Sequence, residues 1–81
     1  MNIEFSEHAI EDYETLSPTL QRTADKQFGF LLRDISHPSL HAKKYDETKD
    51  VWQARITKSY RFYFKIIKDI YFIVRIKKHP K

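Results

Sequence analysis

Residues 51–66 contain the side chains of this sequence that are best suited to binding a phosphate backbone. Read with the period of two that a strand imposes, Arg55, Arg61 and Tyr63 lie on one face of two neighbouring strands. A guanidinium group carries a permanent charge and matches phosphate oxygens with two hydrogen bonds, and an aromatic ring can stack on a base. This cationic, aromatic face therefore indicates a nucleic acid rather than a small neutral ligand.

The opposite face of the same two strands is apolar, so it is expected to form the core. Its residues are Trp52, Ala54, Ile56, Phe62, Phe64 and Ile66. Strands are predicted at 51–57, 60–67 and 70–77, and two-residue links between them indicate antiparallel hairpins. Parity along the third strand then predicts that Tyr71, Ile73, Arg75 and Lys77 share the cationic face, and that Ile70, Phe72, Val74 and Ile76 face the core.

The first half of the chain predicts a strand followed by two helices. Residues 2–5 alternate as a strand does, and Ser6 stands at an N-cap position. Ser17 and Pro18 begin a second helix, whose apolar residues recur every three or four positions until His37 and Pro38 end it. Residues 38–50 are predicted to be a polar connector. The predicted fold is α+β, in the order β-α-α-β-β-β, with a helical hairpin packed on one face of an antiparallel sheet.

Length and charge limit the possible functions. A chain of 81 residues is expected to form a single domain over 1–81. Residues 1–36 carry three Lys or Arg and seven Asp or Glu, whereas residues 37–81 carry twelve and four, so the second half is strongly basic. This asymmetry favours a nucleic-acid partner, the alternative being lysines that only solvate the surface. The absence of cysteine and of a signal-like start predicts a cytoplasmic protein with no membrane association.

The sequence resembles the RelE/ParE superfamily of type II toxins along essentially its whole length. The resemblance rests on the two helices and on three segments: the run Leu40-His41-Ala42-Lys43-Lys44-Tyr45, the pattern W-x-A-R-I (52–56) followed by Y-R-F-Y-F (60–64), and the ending His79-Pro80-Lys81. Short ParE-like toxins are similar in ending near His-Pro-Lys. The resemblance implies a bacterial toxin that is neutralised by a cognate acidic antitoxin.

Two activities of that superfamily remain open, and a third alternative is an inactive member that only binds its antitoxin or nucleic acid. RelE-like members cleave mRNA in the ribosomal A site, and ParE-like members inhibit DNA gyrase without catalysing a reaction. For cleavage, the resemblance implies catalytic roles for Arg55, Arg61 and His79, in which the arginines hold the phosphate and His79 carries a proton. Gln53 stands where related enzymes can have a lysine, and the chain stops at Lys81 where they often extend to a tyrosine; both departures favour the gyrase alternative.

Two further surfaces are predicted. A rim that contacts RNA would comprise Lys43, Lys44, Lys58, Tyr60, Tyr63, Lys77 and Lys78. An antitoxin segment would cover Ile67, Tyr71, Ile73 and Arg75, which are predicted to be exposed apolar residues beside cations. No cofactor and no metal site are expected, since Pro38 separates His37 from His41 and no third ligand is evident.

Overall fold

The computed structural model describes residues 1–79, so Pro80 and Lys81 of the predicted His-Pro-Lys ending lie outside the described residues. Its elements run from β1 (Asn2–Phe5) through two helices, α1 (Glu7–Glu14) and α2 (Pro18–Arg33), to a 3₁₀ helix (Pro38–Leu40). Four strands follow: β2 (Lys43–Asp46), β3 (Val51–Arg55), β4 (Tyr60–Ile67) and β5 (Ile70–Lys78). They form one sheet in the order β1-β5-β4-β3-β2. The predicted α+β class and element order are confirmed, with one additional strand.

The sheet is mixed, and its meander is extended by that additional strand. β1 pairs in parallel with β5, and the remaining pairs are antiparallel. The prediction of a wholly antiparallel sheet was therefore wrong for β1, which joins the sheet beside the last strand. β2 lies in the segment that was predicted to be a connector. It is short and its pairing shifts between Lys44 and Asp46, which explains why its alternation is weak in the sequence.

Serine caps fix both helices, as the sequence predicts. The Ser6 hydroxyl accepts the Ala9 N–H at 3.0 Å, and the Ser17 hydroxyl accepts the Leu20 N–H at 3.2 Å. α2 ends at Arg33, earlier than the predicted stop at His37. Asp34 explains the difference, because its carboxylate accepts the Ser36 N–H at 2.9 Å in a local turn that competes with further helix.

The core lies between the helices and one face of the sheet. Its largest fully buried side chains are Phe62, Phe64, Leu31, Leu40 and Ile73. Phe28 of α2 packs edge-on against Phe62, with ring centroids 5.0 Å apart, and against Phe5 of β1 at 5.3 Å. The helices thus cover one sheet face and leave the other open.

A bulge in β5 changes which residues face the core. Tyr63 pairs with Arg75 but Phe64 pairs with Ile73, so Val74 is an extra residue opposite β4. The bulge reverses the parity of the strand's first half: Tyr71 and Ile73 are buried, at 7% and 0% exposure. The prediction that these two residues lie on the open face was wrong, as was the prediction that Phe72, which pairs with Lys65, faces the core. Arg75 and Lys77, beyond the bulge, keep their predicted face.

Helix α1 seals the edge of β5 after β1 ends. The Ser6 hydroxyl donates to the Val74 carbonyl at 2.7 Å, and the Asp12 carboxylate accepts the Ile76 N–H at 2.9 Å. The same carboxylate accepts two hydrogen bonds from Arg75, at 2.8 and 3.2 Å. Side chains of α1 therefore satisfy backbone groups that an exposed strand edge would leave to solvent. Among residues 1–79, neither α-helix has the length and apolar character needed to cross a bilayer.

Candidate anion-binding site

A pocket of about 500 Å³ lies on the open face, where the ends of three strands meet the segment after the 3₁₀ helix. Its lining residues are His41, Ala42, Lys43, Gln53, Arg55, Arg61 and His79. The structure therefore brings together Arg55, Arg61 and His79, which were predicted as catalytic residues, and adds Lys43 from the predicted rim. Its charged and titratable lining is cationic or imidazole throughout, so the pocket is suited to an anion.

Arg61 is a buried cation in the floor of this pocket. Its side chain belongs to a residue that is only 7% exposed, and its Nη1 donates to the carbonyls of Thr57 and Lys58 at 2.8 and 2.6 Å. These carbonyls belong to the β3–β4 loop, which thereby fixes the direction of the guanidinium group. Burial, and then the charge of Arg55, lower the pKa of Arg61 from its ordinary value.

Arg55 stands directly opposite Arg61 in the β3–β4 pairing, which places two guanidinium groups on neighbouring strands. Within residues 1–79, no carboxylate forms an ion pair with either arginine. Two like charges held side by side without a counter-ion destabilise the fold in the absence of a ligand. Their arrangement is accounted for if an anion binds between or above them.

Gln27 of α2 links the two walls of the pocket from beneath. It is buried, at 3% exposure, and its amide group donates to the Arg55 carbonyl at 2.9 Å and to the Ser39 carbonyl at 3.1 Å. The Ser39 hydroxyl donates back to the Gln27 side-chain oxygen at 3.1 Å. One side chain thus ties the end of β3 to the 3₁₀ helix that precedes His41. Gln27 was not predicted as a site residue, although a polar side chain on the apolar stripe of α2 was an available signal.

His41 and His79, which are far apart in the sequence, both line the pocket. His79 is exposed, and its backbone N–H donates to the Ser59 carbonyl, which holds it beside the β3–β4 loop. His41 follows the 3₁₀ helix in a left-handed conformation, with φ 47°. From the sequence, His41 was weighed as a metal ligand and counted in the run that carries the resemblance, but it was not placed in the site. A left-handed residue after a single turn has no clear sequence signal, so the placement could not be read in advance.

Three other residues of the predicted rim lie together on a neighbouring surface. Tyr63, Lys77 and Lys78 line a second depression of about 470 Å³ next to the pocket, together with Arg75 and Tyr45. The rings of Tyr45 and Tyr63 meet edge-on, with centroids 4.9 Å apart, and Tyr45 is 62% exposed. This depression therefore combines several cations and one carboxylate, that of Asp46, with an accessible aromatic ring.

Three other rim residues have different surroundings. The Lys44 ammonium lies 5.3 Å from the centre of the Trp52 ring and pairs with Asp50, so it is turned away from the pocket. Tyr60 packs against the hydrophobic core, and Lys58 is exposed in the β3–β4 loop. Lys44 and Tyr60 therefore lie on the side of the sheet that carries the helices, and their contact with RNA stays a prediction.

The predicted antitoxin surface is also only partly exposed. Ile67 is 47% exposed, but Tyr71 and Ile73 are core residues because of the bulge, and Arg75 is paired with Asp12. The hydrogen bonds that Arg75 donates to the Asp12 carboxylate raise the pKa of Arg75, which remains charged. A partner that covers this face would therefore contact Ile67 and the rims of the two depressions rather than Tyr71 or Ile73.

Comparison with solved structures shows the fold plainly. A YoeB/ParE toxin from Agrobacterium tumefaciens superposes with a TM-score of 0.83 at 14% identity, over 99% of this chain and 100% of that chain. YoeB from Staphylococcus aureus, solved as a dimer, gives 0.81 at 19% identity over 99% and 98% of the two chains. The intact Escherichia coli RelBE toxin–antitoxin complex gives 0.72 at 17% identity over 98% and 96%. The sequence matches no protein-family model and no curated protein.

The described part of the chain therefore has the RelE/ParE fold, as the resemblance in the sequence predicted. Identities of this size establish the fold and leave activity to be argued from the site.

Proposed function

From this fold and its cationic pocket, we propose that the protein is the toxin of a toxin–antitoxin pair and cleaves mRNA on the ribosome. The observation that supports this most directly is the pair of arginines on neighbouring strands, one of them buried, with two histidines at the same pocket. RNA supplies the phosphate anion that such a pocket would bind. It also supplies a ribose 2′-OH beside that phosphate.

The residues present match the requirements of phosphodiester cleavage. The 2′-OH loses a proton and attacks the adjacent phosphorus, the bond to the 5′-oxygen breaks, and that oxygen gains a proton. The products are a 2′,3′-cyclic phosphate and a 5′-hydroxyl. Arg61 and Arg55 would hold the phosphate oxygens as negative charge develops on them, which is the role of a preorganised cationic site. His79 would carry one of the two protons.

Arg61 is suited to this task because it is oriented before the substrate arrives. Its two hydrogen bonds to loop carbonyls fix the guanidinium group and leave its other donors for a phosphate. Burial also excludes water, which strengthens the interaction of the guanidinium group with an anion. Gln53, which lines the pocket but carries no charge, would contribute a hydrogen bond and no charge stabilisation.

The path of the RNA would continue from the pocket into the neighbouring depression. Lys43 lies at one side of the pocket, and Lys77 pairs with Arg61 across β4 and β5. Tyr63, Tyr45 and Lys78 lie further along. An RNA strand whose reactive phosphate lay over Arg55 and Arg61 would therefore pass several cations and the exposed Tyr45 ring. Cations and aromatic rings together suit single-stranded RNA.

We also propose that a cognate acidic antitoxin covers the open face. The pocket arginines have no carboxylate partner among residues 1–79, so acidic side chains of a partner segment would neutralise them. Several neighbours with this fold were solved as complexes, RelE with RelB and YoeB with YefM. Ile67, exposed on the same face, would add an apolar contact.

Primer extension on a translating mRNA tests the proposal. Purified protein is added with and without ribosomes, and Arg61→Ala is compared with Arg33→Ala, a matched change of an exposed arginine at the end of α2. Cuts that depend on ribosomes, that follow the reading frame and that disappear with Arg61→Ala support the proposal. Intact mRNA in a reaction that continues to translate contradicts it, and a gyrase supercoiling assay would then test the alternative activity.

A further inference from the structure

We infer that His41 is the second proton-transfer group of the pocket and acts with His79. This inference rests on the proposed cleavage of RNA and names the residue that carries out the second of its two proton transfers. The reaction moves two protons at two different oxygens, so a single imidazole must act twice or a second group must be present. His41 is that second group, since it lines the same pocket as His79, Arg55 and Arg61.

The conformation of His41 is an unusual one that the surrounding structure maintains. A left-handed backbone at φ 47° costs free energy for a residue other than glycine, so it persists where neighbouring contacts determine it. Leu40, immediately before it, is fully buried, and the His41 N–H donates to the Pro38 carbonyl. On the other side, Lys43 begins β2 and pairs with Gln53. His41 is thus fixed between a buried anchor and a paired strand.

Gln27 connects this conformation to the arginine side of the pocket. Through Ser39 it holds the 3₁₀ helix, and through the Arg55 carbonyl it holds the end of β3. The Gln27 amide therefore adds a second constraint on the separation between the His41 and Arg55 backbones, beside the pairing of Lys43 with Gln53. Gln27 is a positioning residue in this scheme, because it contacts neither the pocket contents nor the reacting atoms.

Each imidazole has a complementary role in a balanced reaction. One, neutral, accepts the proton of the 2′-OH as the new bond to phosphorus forms. The other, charged, donates a proton to the 5′-oxygen as the old bond breaks. The remaining titratable groups that line the pocket are Lys43, Arg55 and Arg61, which are cations and leave the proton transfers to the histidines. Rate should therefore pass through a maximum as pH is varied, because one imidazole must be neutral while the other is charged.

Imidazole NMR resonances of the full-length protein test the placement without any cleavage assay. Uridine 3′-monophosphate is titrated into the protein, and the four histidine ring signals are followed. His41 and His79 should shift, whereas His8, exposed on α1, and His37, stacked on Phe30, serve as internal controls and should not. A His41 signal that stays fixed while the His79 signal moves overturns the inference, whether or not the wild-type protein cleaves mRNA.

Ribosomal cleavage assays then test the role. His41→Ala should lower the cleavage rate about 100-fold or more and remove one limb of the pH profile, with His79→Ala removing the other. His8→Ala is the matched control and should cleave at the wild-type rate. In a substrate whose 5′-oxygen is replaced by sulfur, the leaving group is a thiolate, which needs no proton. This substrate should restore cleavage to the variant that lacks the acid and not to the variant that lacks the base.

Gln27→Met tests the positioning role, since it retains volume and loses the hydrogen bonds. It should lower the cleavage rate while substrate affinity stays within about twofold of wild type. Gln27→Glu, which keeps an acceptor for Ser39, should not restore the rate.

His41→Ala cleaving within threefold of wild type overturns the inference. A wild-type protein that leaves mRNA intact instead contradicts the proposed function, and the NMR titration separates these two failures.

Discussion

Arg61 and Arg75 both extend from the open face of the sheet, and their surroundings differ in one decisive respect. Arg75 donates two hydrogen bonds to Asp12, which also accepts a backbone N–H of β5, so its charge is neutralised within the fold. Arg61 is more deeply buried, at 7% exposure, yet within residues 1–79 its side chain donates only to carbonyl oxygens, and it stands opposite another arginine. Arg75 therefore links α1 to the edge of β5, whereas the charge of Arg61 is available to a ligand in the pocket.

This difference separates stability from function on a single surface. A neutralised, multiply hydrogen-bonded pair lowers the free energy of the folded chain when it also satisfies backbone groups. A buried cation beside a like charge raises that free energy, and it persists where binding or catalysis requires it. The two sites are therefore expected to respond in opposite ways to substitution.

The largest expected effect is on activity at the arginine pocket. Arg61→Leu should lower ribosome-dependent cleavage at least 100-fold, or about 2.7 kcal/mol, because the preorganised charge on the phosphate is lost. Its free energy of unfolding should stay within about 1 kcal/mol of wild type, since the substitution also removes the burial of a charge and the repulsion from Arg55. Urea denaturation and primer extension measure the two quantities. An equal loss of both would mean that Arg61 is mainly a structural residue.

The next effect is on stability at the α1–β5 contact. Asp12→Asn should lower the free energy of unfolding by about 2 kcal/mol, because a carboxylate that accepts three hydrogen bonds becomes an amide that cannot accept them all. Cleavage per folded molecule should be unchanged. Glu11→Gln, an exposed change on the same helix, is the matched control and should be neutral. Loss of cleavage in a fully folded Asp12→Asn protein would contradict the separation of the two sites.

Acid should remove the contribution of Asp12. Burial alone would raise its pKa, but the hydrogen bonds from Arg75 and the Ile76 N–H outweigh this and leave the pKa below its ordinary value. Since the folded chain binds this proton more weakly than the unfolded chain, the stabilisation is present above the ordinary pKa of about 3.9 and is lost as pH falls through the lower pKa of the folded chain. The difference in melting temperature between wild type and Asp12→Asn should therefore be largest near neutrality and shrink towards pH 3. A difference that stayed constant down to pH 3 would show that the charge does not contribute.

The parts of the fold that the sequence predicted are those set by local pattern. The serine caps, the apolar stripe of α2 and the alternation in β3 and β4 each follow from the period of one element, and each was found as expected. Alternation also placed Arg55 and Arg61 on one face, but their direct pairing was not predicted. The two-residue link expected at 58–59 would set Arg55 opposite Phe62, whereas β3 ends at Arg55 and the longer loop sets it opposite Arg61.

The errors arose where a feature depends on contacts between distant segments. The bulge at Val74 coincides with the end of β1 and the start of the α1 contact, and nothing near Val74 in the sequence marks it. That one extra residue moved Tyr71 and Ile73 from the predicted partner surface into the core. His41 was missed for a similar reason, because its direction depends on a left-handed turn held by Gln27 from another helix.

The smallest expected effect is on the salt dependence of RNA binding, and it distinguishes the arginine pocket from the neighbouring depression. Each lysine that neutralises an RNA phosphate releases counter-ions, so its removal should reduce the slope of log affinity against log salt by about 0.7 for a single strand. Lys43→Gln tests the arginine pocket and Lys77→Gln the neighbouring depression, with Lys26→Gln, exposed on α2, as the control. Binding of a short single-stranded RNA at several salt concentrations gives the slopes. Equal reductions at Lys43 and Lys77 would mean that one strand crosses both depressions, as proposed. A reduction at Lys43 alone would confine the phosphates to the arginine pocket and leave the Tyr45–Tyr63 surface to another partner.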